Sequence, residues 1–259
     1  MPKFGRVGAV SVAVVIVLTM SAACAGERPT PTATPHRTTA SAAPVKTPSA
    51  TPTVPAFDKT QLSITDPNSI WVVANKIRPL NPVSYAPTDL VTVPVAHDNP
   101  PIMRKVAGDA LVTMFAAAAA EGAGGMQIQS AYRSYPTQVA VYAGWVRSRG
   151  KVQADRQSAR PGFSEHQTGL AVDISPVPLK CALAACFGQT PQGVWLAANA
   201  YRFGFLLRYP ADKEPVTGYE YEPWHFRYIG VALATEMHTT GVETLEEFFG
   251  LPAAPDYAP

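Results

Sequence analysis

The stretch SEHQTGLAVD, residues 164–173, ends in a carboxylate whose partner is not evident from its neighbours. Leu170 to Ile174 form a run that is apolar except for Asp173, which is typical of a short buried strand. A buried carboxylate without a partner costs several kcal/mol. Asp173 therefore requires a buried Arg or Lys, backbone N–H groups or a metal ion, and a structural hydrogen-bond network is the alternative to a functional role.

The same stretch contains a possible second ligand, His166, seven residues before Asp173. A single straight strand would place the two side chains on opposite faces, because side chains alternate along a strand. The chain between them must therefore fold back, and Gly169 is the residue that allows this turn. A histidine alone is more often structural than a ligand, so the prediction depends on further residues.

Those residues come from the segment EPWH, residues 222–225. Pro223 disfavours a helix here, and an extended chain would point Glu222 and His225 apart, so we expect a bend at Pro223 and Trp224. Two histidines and one aspartate match a catalytic zinc site, which keeps a fourth position open. Glu222 then remains as a candidate general base.

Arg133, in SAYRSY at the end of a predicted strand, is a candidate for stabilising an oxyanion. A guanidinium is always charged and presents several donors, which suits the negative charge that forms on an attacked carbonyl. The alternative is a surface salt bridge, which the spacing alone does not exclude.

These residues carry a family resemblance. SEHQTGLAVD matches SxHxxGxAxD and EPWH matches ExWH, and both motifs resemble the zinc signatures of the VanY-like D-alanyl-D-alanine carboxypeptidases, in the LAS group of metallopeptidases. Flanking segments are similar to that family over roughly Trp71 to Gly230. The resemblance implies a LAS/hedgehog-like metallopeptidase fold, with Zn²⁺ as cofactor and peptidoglycan stem peptides as substrate.

The resemblance also implies a role for each matching residue. In this interpretation Glu222 is the general base and Arg133 steadies the substrate carbonyl or the developing oxyanion, while three residues ligate zinc: His166, Asp173 and His225. Gln138 and Ser164 match positions that line the substrate site, and their alternatives are a helix-surface amide and a loop hydroxyl. Trp224 is expected to pack beneath the site and to fix its two neighbours.

Other titratable residues are set aside. Glu165 is expected to be solvated rather than catalytic, and Glu220 is set aside because the ExWH spacing selects Glu222. Three histidines lie in a predicted tether, in a polar loop and near a helix end, where a positive charge suits the helix dipole: His36, His97 and His238.

The remaining patterns predict an α+β fold. In this fold a small antiparallel sheet carries the zinc site and is flanked by several helices. Strands are predicted over residues 126–132 and 170–174. Helices are predicted over residues 99–122, entered at Pro100 and Pro101, and over 134–150, 190–204, 229–241 and 244–250, where Ser134, Thr190 and Thr244 are suitable N-caps.

The N-terminus predicts export. Residues 1–25 have the basic start and apolar core of a signal peptide. Cleavage before Cys24 would give a lipoprotein, whereas cleavage after Ala25 would give a freely secreted protein. We expect the lipid-anchored form, at the outer face of the cytoplasmic membrane, with the lipid as the only membrane contact.

The remaining chain divides by composition into three parts. Residues 26–56, rich in Pro, Thr, Ser and Ala, are predicted to be a disordered tether. Residues 57–251 form the predicted catalytic domain and residues 252–259 a loose tail. The net charge of +2 gives no reason to expect nucleic acid binding, and we expect a monomer.

Export also bears on the cysteines. Cys181 and Cys186 lie five residues apart, and an oxidising compartment favours a local disulfide, with two buried free thiols as the alternative.

The sequence as a whole therefore predicts a zinc D-alanyl-D-alanine carboxypeptidase at the bacterial cell surface. An L,D-carboxypeptidase or a peptidoglycan endopeptidase would use the same zinc mechanism, and the sequence does not show whether the cleft is closed at one end. A catalytically silent peptidoglycan-binding domain is disfavoured by the intact Glu222, and a metal-free structural domain would require all four site residues to be coincidental.

Overall fold

The computed structural model of the protein describes residues 56–258. The predicted signal peptide, its candidate lipidation site Cys24 and the predicted tether up to residue 55 lie outside the described residues. Within residues 56–258, no helix combines the length and the apolar character that a membrane crossing requires.

Short strands and helices of very different lengths make up the described chain. The strands are β1 (Leu90–Thr92), β2 (Ile102–Arg104), β3 (Gly125–Ser130), β4 (Ala171–Val177), β5 (Phe205–Leu207) and β6 (His225–Tyr228). The helices are α1 (Lys105–Ala120), α2 (Tyr135–Arg149), α3 (Lys151–Gln157), α4 (Pro191–Asn199), α5 (Glu214–Thr217), α6 (Val231–Thr240) and α7 (Leu245–Phe249).

The central feature is a four-stranded antiparallel sheet with the strand order β3-β4-β6-β5. The strands β1 and β2 form a separate antiparallel pair. The α+β prediction with a small antiparallel sheet is thus confirmed. Strand β4 lies in the middle of the sheet and is buried along almost its whole length, which accounts for its apolar sequence.

The predicted caps position the helices. Ser134 Oγ accepts a hydrogen bond from Thr137 N, Thr190 Oγ1 accepts one from Gly193 N, and Thr244 Oγ1 accepts one from Glu247 N. The predicted start of α1 at residue 99 is wrong. Residues 102–104 instead pair with β1 as strand β2, and the helix begins at Lys105.

Two hydrophobic clusters hold these elements together. The larger cluster packs α1 against one face of the sheet, with Leu111 and Met114 from the helix and Ile128, Ile174 and Phe226 from three strands. The smaller cluster packs α6 and α7 against the N-terminal part of the described chain and includes Trp71, Leu233 and Phe248. The sheet is therefore covered by apolar contacts that hold its strands in register.

The C-terminal segment is not the loose tail predicted from its composition. Ala254 is fully buried, and its N–H donates to Val216 O. The Tyr257 hydroxyl accepts a hydrogen bond from Arg160 N and contacts the Tyr219 hydroxyl. The segment is thereby fixed to the domain through residue 257.

The two cysteines of the domain, Cys181 and Cys186, form a disulfide. It closes the loop between β4 and α4, and Leu183 of this loop is exposed with a positive φ of 49°.

Candidate active site

The sheet brings the two halves of the site together. Asp173 of β4 and His225 of β6 are direct cross-strand partners, so their side chains leave the sheet on the same face. Ser130 of β3 is the partner of Asp173 on its other side, next to an irregularity in the register. The strand order thus places a carboxylate and an imidazole side by side, although 52 residues separate them in the sequence.

His166 reaches the same point through a tight turn. Residues 165–168 form a short 3₁₀ helix that ends at Gly169, whose φ of 69° is left-handed. Gly169 N donates to His166 O, and the chain then enters β4. His166 Nδ1 lies 2.7 Å from Ala131 O, so this nitrogen donates its proton and Nε2 faces Asp173 Oδ2 at 3.3 Å.

His225 is oriented in the opposite sense. Its Nδ1 lies 3.1 Å from Asp173 Oδ1, and its Nε2 points toward Glu165 Oε2 at 3.4 Å. In each imidazole, one nitrogen therefore faces an acceptor outside the cluster and the other nitrogen faces Asp173.

These contacts fit a metal. One ligand atom from each of His166, Asp173 and His225 lies within 4.8 Å of the others, and all three residues are buried. Two imidazole nitrogens and one carboxylate oxygen form a donor set that suits zinc. Three protein ligands leave a coordination position for water or substrate.

The charges of the cluster also favour a cation. Burial opposes ionisation of Asp173, yet the imidazoles of His166 and His225 hold the pKa of its carboxyl well below its usual value. Burial likewise opposes protonation of His225, but hydrogen bonds with Asp173 and Glu165 raise its pKa to about 9. A positive charge between these side chains is thus stabilised, and a metal ion supplies it in place of a proton.

Glu222 lies at the edge of the cluster. Glu222 O accepts a hydrogen bond from His225 N across a turn at Pro223 and Trp224, which is the expected bend. Glu222 Oε2 is 3.8 Å from His225 Nδ1. Burial raises the pKa of Glu222 to about 8, so the carboxyl exchanges its proton near neutral pH, as a general base requires.

Arg133 enters the cleft from the segment after β3. Its Nη1 donates to Gln138 Oε1 at 2.9 Å and its Nη2 to Ser130 Oγ at 3.3 Å. Burial lowers the pKa of Arg133, and the carboxylates of Asp173 and Glu222 oppose that shift. Arg133 is therefore a partly buried cation beside the cluster, which excludes the alternative of an exposed surface salt bridge.

Gln138 is fully buried, so it is not a helix-surface amide. Its Nε2 donates to Ala159 O at 2.6 Å and to Ser158 Oγ at 3.3 Å, which leaves Oε1 to accept from Arg133. The amide thus holds the guanidinium in one orientation.

The three metal-site candidates, Glu222 and Arg133 open into one cleft of about 800 Å³, whereas Gln138 does not line it, so the expectation that Gln138 lines the substrate site is wrong. Ser164, which is buried, lines it next to the cluster, and Trp224 lines it while also packing against the larger hydrophobic cluster. Leu183 of the disulfide loop also lines the cleft. A cleft of this size accommodates several residues of a peptide.

The residue that the sequence interpretation missed is Glu165. It was expected to be solvated, but its side chain is completely buried and pairs with Arg208 and Arg227 as well as with His225. Two arginines in the apolar stretches FLLRY and HFRYIG were the available signal, because a buried arginine needs an anion.

The other residues set aside remain outside the cluster. Glu220 lines the cleft but pairs with Arg156 and Gln157. His97 is exposed, and His238 stacks on Tyr201 at 3.6 Å. His36 lies outside the described residues.

Comparison with known proteins gives a consistent result. A family model described as VanY, D-alanyl-D-alanine carboxypeptidase, matches residues 101–231. This range contains the metal-site candidates, Glu222 and Arg133. A Bacillus subtilis protein named "Putative carboxypeptidase YodJ" is 43% identical over 192 residues, which cover 72% of this chain and 69% of the relative.

Solved structures show the same likeness. The structure of the LdcB LD-carboxypeptidase matches with a TM-score of 0.65 and 42% identity, over 71% of this chain and 87% of that one. A mutant of the vancomycin resistance D,D-pentapeptidase VanY, in complex with Zn(II), matches with a TM-score of 0.59 and 31% identity, over 70% of this chain and 98% of that one.

Proposed function

Because the chain belongs to the VanY family of D-alanyl-D-alanine carboxypeptidases, we propose that it is a zinc enzyme that removes the terminal D-alanine from peptidoglycan stem peptides at the bacterial cell surface. The observation that carries the proposal is the convergence of His166, Asp173 and His225 within 4.8 Å, beside the buried Glu222.

In this proposal His166 Nε2, Asp173 and His225 Nδ1 hold the zinc ion. The two-histidine, one-aspartate donor set supports zinc, and so does the Zn(II) complex of a relative. When bound, zinc acts as a Lewis acid toward the attacking water and the scissile carbonyl.

Glu222 carries the proton transfers. Its carboxylate removes a proton from the attacking water, and the carboxylic acid that results gives the proton to the amine of the departing D-alanine. Burial raises the pKa of this carboxyl to about 8, so both its carboxylate and its acid forms are accessible near neutral pH.

Arg133 supports the substrate carbonyl as negative charge develops on its oxygen. The guanidinium is held by Gln138 and Ser130, so it does not need to reorganise during the reaction. Ser164 lines the cleft beside the cluster, whereas Gln138 is buried behind Arg133 and acts on the substrate site only through that guanidinium; Trp224 lies in the turn that carries Glu222 and His225.

The proposed peptidoglycan substrate and the proposed location outside the cytoplasm are supported by a structural relative and by the N-terminal sequence. The LdcB LD-carboxypeptidase, whose structure is similar to that of this chain, recognises peptidoglycan. The basic and apolar start of the chain, Cys24 and the proline-rich residues 26–56 favour an exported, lipid-anchored protein whose catalytic domain extends away from the membrane. An enzyme that acts on wall peptides must lie outside the cytoplasm.

A second candidate is the L,D-carboxypeptidase reaction, which removes a D-alanine that follows an L-residue. The likeness to the LdcB LD-carboxypeptidase, at 42% identity, favours it specifically. Both reactions use the same metal site and differ only in the configuration of the residue before the scissile bond.

The deciding experiment incubates the purified protein, with zinc or with a chelator, with stem peptides that end in D-Ala-D-Ala or in a single D-Ala. Mass spectrometry identifies the products. The proposal predicts zinc-dependent release of one D-alanine from the first peptide, whereas release from the second peptide alone would support the L,D reaction. Absence of cleavage with zinc present would refute both.

A further inference from the structure

Behind His225 lies a cluster of four charged side chains with no exposed area, which we call the buried ionic cluster: Glu165, Arg208, Arg227 and Glu246. The four residues come from the 3₁₀ helix, the position directly after β5, strand β6 and helix α7, so the cluster joins the sheet to the C-terminal part of the domain. Its formal charges sum to zero.

Each member of the cluster has fixed partners. Glu165 Oε1 accepts from Arg208 Nε at 2.9 Å and from Arg227 Nη1 at 3.0 Å. The two terminal nitrogens of Arg208 donate to Glu246, at 2.7 and 2.9 Å, and Asn75 Nδ2 donates to Glu246 Oε1. Both Glu165 and Glu246 are thus held by arginine, but they differ in what else they touch.

That difference connects the cluster to the active site. Glu165 Oε2 lies 3.4 Å from His225 Nε2, on the side of the ring opposite to Asp173. Glu246 contacts Arg208 and Asn75 instead of His225. Burying ionised groups costs several kcal/mol each, and well-packed apolar side chains often serve stability equally well. Neutralising Arg208 and Arg227 accounts for a carboxylate in this cluster, but not for the second oxygen of Glu165 facing His225.

The two proposed histidine ligands are also oriented by different acceptors. His166 donates from Nδ1 to a neutral backbone carbonyl, Ala131 O, whereas His225 faces the ionised carboxylate of Glu165. A carboxylate behind a ligating imidazole fixes its tautomer and increases its basicity. The two arginines keep this carboxylate in place and ionised.

We infer that Glu165 is a positioning residue for the metal centre: it accepts the Nε2 proton of His225, so that Nδ1 is presented to the metal with increased basicity. The inference rests on the proposed ligation of zinc by His166, Asp173 and His225. These contacts assign Glu165 to the metal site, whereas Glu246 only supports Arg208.

The test compares Glu165→Gln with the matched control Glu246→Gln. Both substitutions remove one buried negative charge that pairs with Arg208, and both keep the shape of the side chain, but only the first changes the contacts with His225 and Arg227. The zinc dissociation constant is measured by competition with a chelator. The absorption spectrum of the cobalt(II)-substituted protein reports the ligand geometry independently of activity.

We expect zinc binding by Glu165→Gln to be weaker by about 10- to 100-fold, with an altered cobalt(II) spectrum, and binding by Glu246→Gln to remain at the wild-type level. Equal losses in both variants, or no loss in Glu165→Gln, would overturn the inference. Failure of Glu165→Gln to fold while Glu246→Gln folds would also overturn it, because Glu165 would then be a stability residue. Absence of zinc binding in the wild type would refute the proposed function instead.

Discussion

The turn at Gly169 allows His166 and Asp173 to meet, and replacing it by alanine tests this part of the structure. Gly169 has a φ of 69° and a ψ of 11°. A Cβ at this position would lie 2.9 Å from Arg104 Cγ, 3.0 Å from Leu90 Cδ2 and 3.2 Å from the backbone nitrogen of Arg104. Arg104 cannot easily move away, because its side chain is bonded to Asp89 and its N–H donates to Gly169 O.

The free-energy cost of Gly169→Ala has two parts, backbone strain and steric crowding, and a second glycine allows them to be measured separately. Gly241, after α6, has nearly the same conformation, with a φ of 68° and a ψ of 20°, but a Cβ there would meet no atom within 4 Å. The left-handed conformation costs an alanine about 1–2 kcal/mol at either site. Crowding of a packed site adds about 1–3 kcal/mol. We therefore expect Gly169→Ala to destabilise the protein by about 2–5 kcal/mol and Gly241→Ala by about 1–2 kcal/mol.

The assay is urea denaturation of the metal-free proteins, followed by tryptophan fluorescence, with the free energy of unfolding compared among wild type and the two variants. Metal-free protein is required because zinc binding would add its own stabilisation to the native state. If Gly169→Ala costs no more than Gly241→Ala, the close packing of this turn against β1 and β2 is refuted.

Three further predictions concern Arg133, Gln138 and Tyr257. Arg133 lowers the pKa of Glu222, so Arg133→Met should move the acidic limb of the kcat/KM profile to higher pH, and a move to lower pH would contradict the role of this cation. Gln138→Leu leaves an N–H of Arg133 without its acceptor, so kcat/KM should fall by about 5- to 100-fold while zinc content stays constant; unchanged kinetics would show that the amide does not orient the guanidinium. Burial raises the pKa of Tyr257 to about 12, against about 10 in an unfolded chain, so the neutral phenol contributes fully to the stability of the folded protein below pH 10, and that contribution is lost as the pH rises through 12. The difference in unfolding free energy between wild type and Tyr257→Phe should therefore shrink by about 2 kcal/mol from pH 9 to pH 12, and a constant difference would contradict the packing of the C-terminal segment.

Local sequence signals were sufficient to predict the helices that begin at polar caps. Ser134 and Thr190, each followed by a proline in the first turn, mark helix starts that the structure reproduces, because a cap hydrogen bond involves only neighbouring residues. The three-residue strand β2 was missed, and its residues were included in a helix. Its conformation depends on pairing with Leu90–Thr92, which a local pattern does not reveal.

The difference between local signals and distant contacts also explains which site residues could be predicted from the sequence. The motif spacings were sufficient to select the metal-site candidates and Glu222, because one glycine turn and one proline bend bring them together. The burial of Glu165 could not be predicted from its neighbours, because its partners Arg208 and Arg227 lie 43 and 62 residues away in sequence. The packing of Tyr257 likewise depends on distant contacts with Arg160 and Tyr219.

In the proposed mechanism, Glu222 performs the proton transfers at a zinc site formed by other residues. The most direct measurement is the rate of D-alanine release from a peptide ending in D-Ala-D-Ala by Glu222→Gln, with the zinc content of the same preparation determined. We expect one zinc per chain, as in the wild type, and a rate reduced by about 10²- to 10⁴-fold. A variant that retains zinc and releases D-alanine at the wild-type rate would contradict this mechanism.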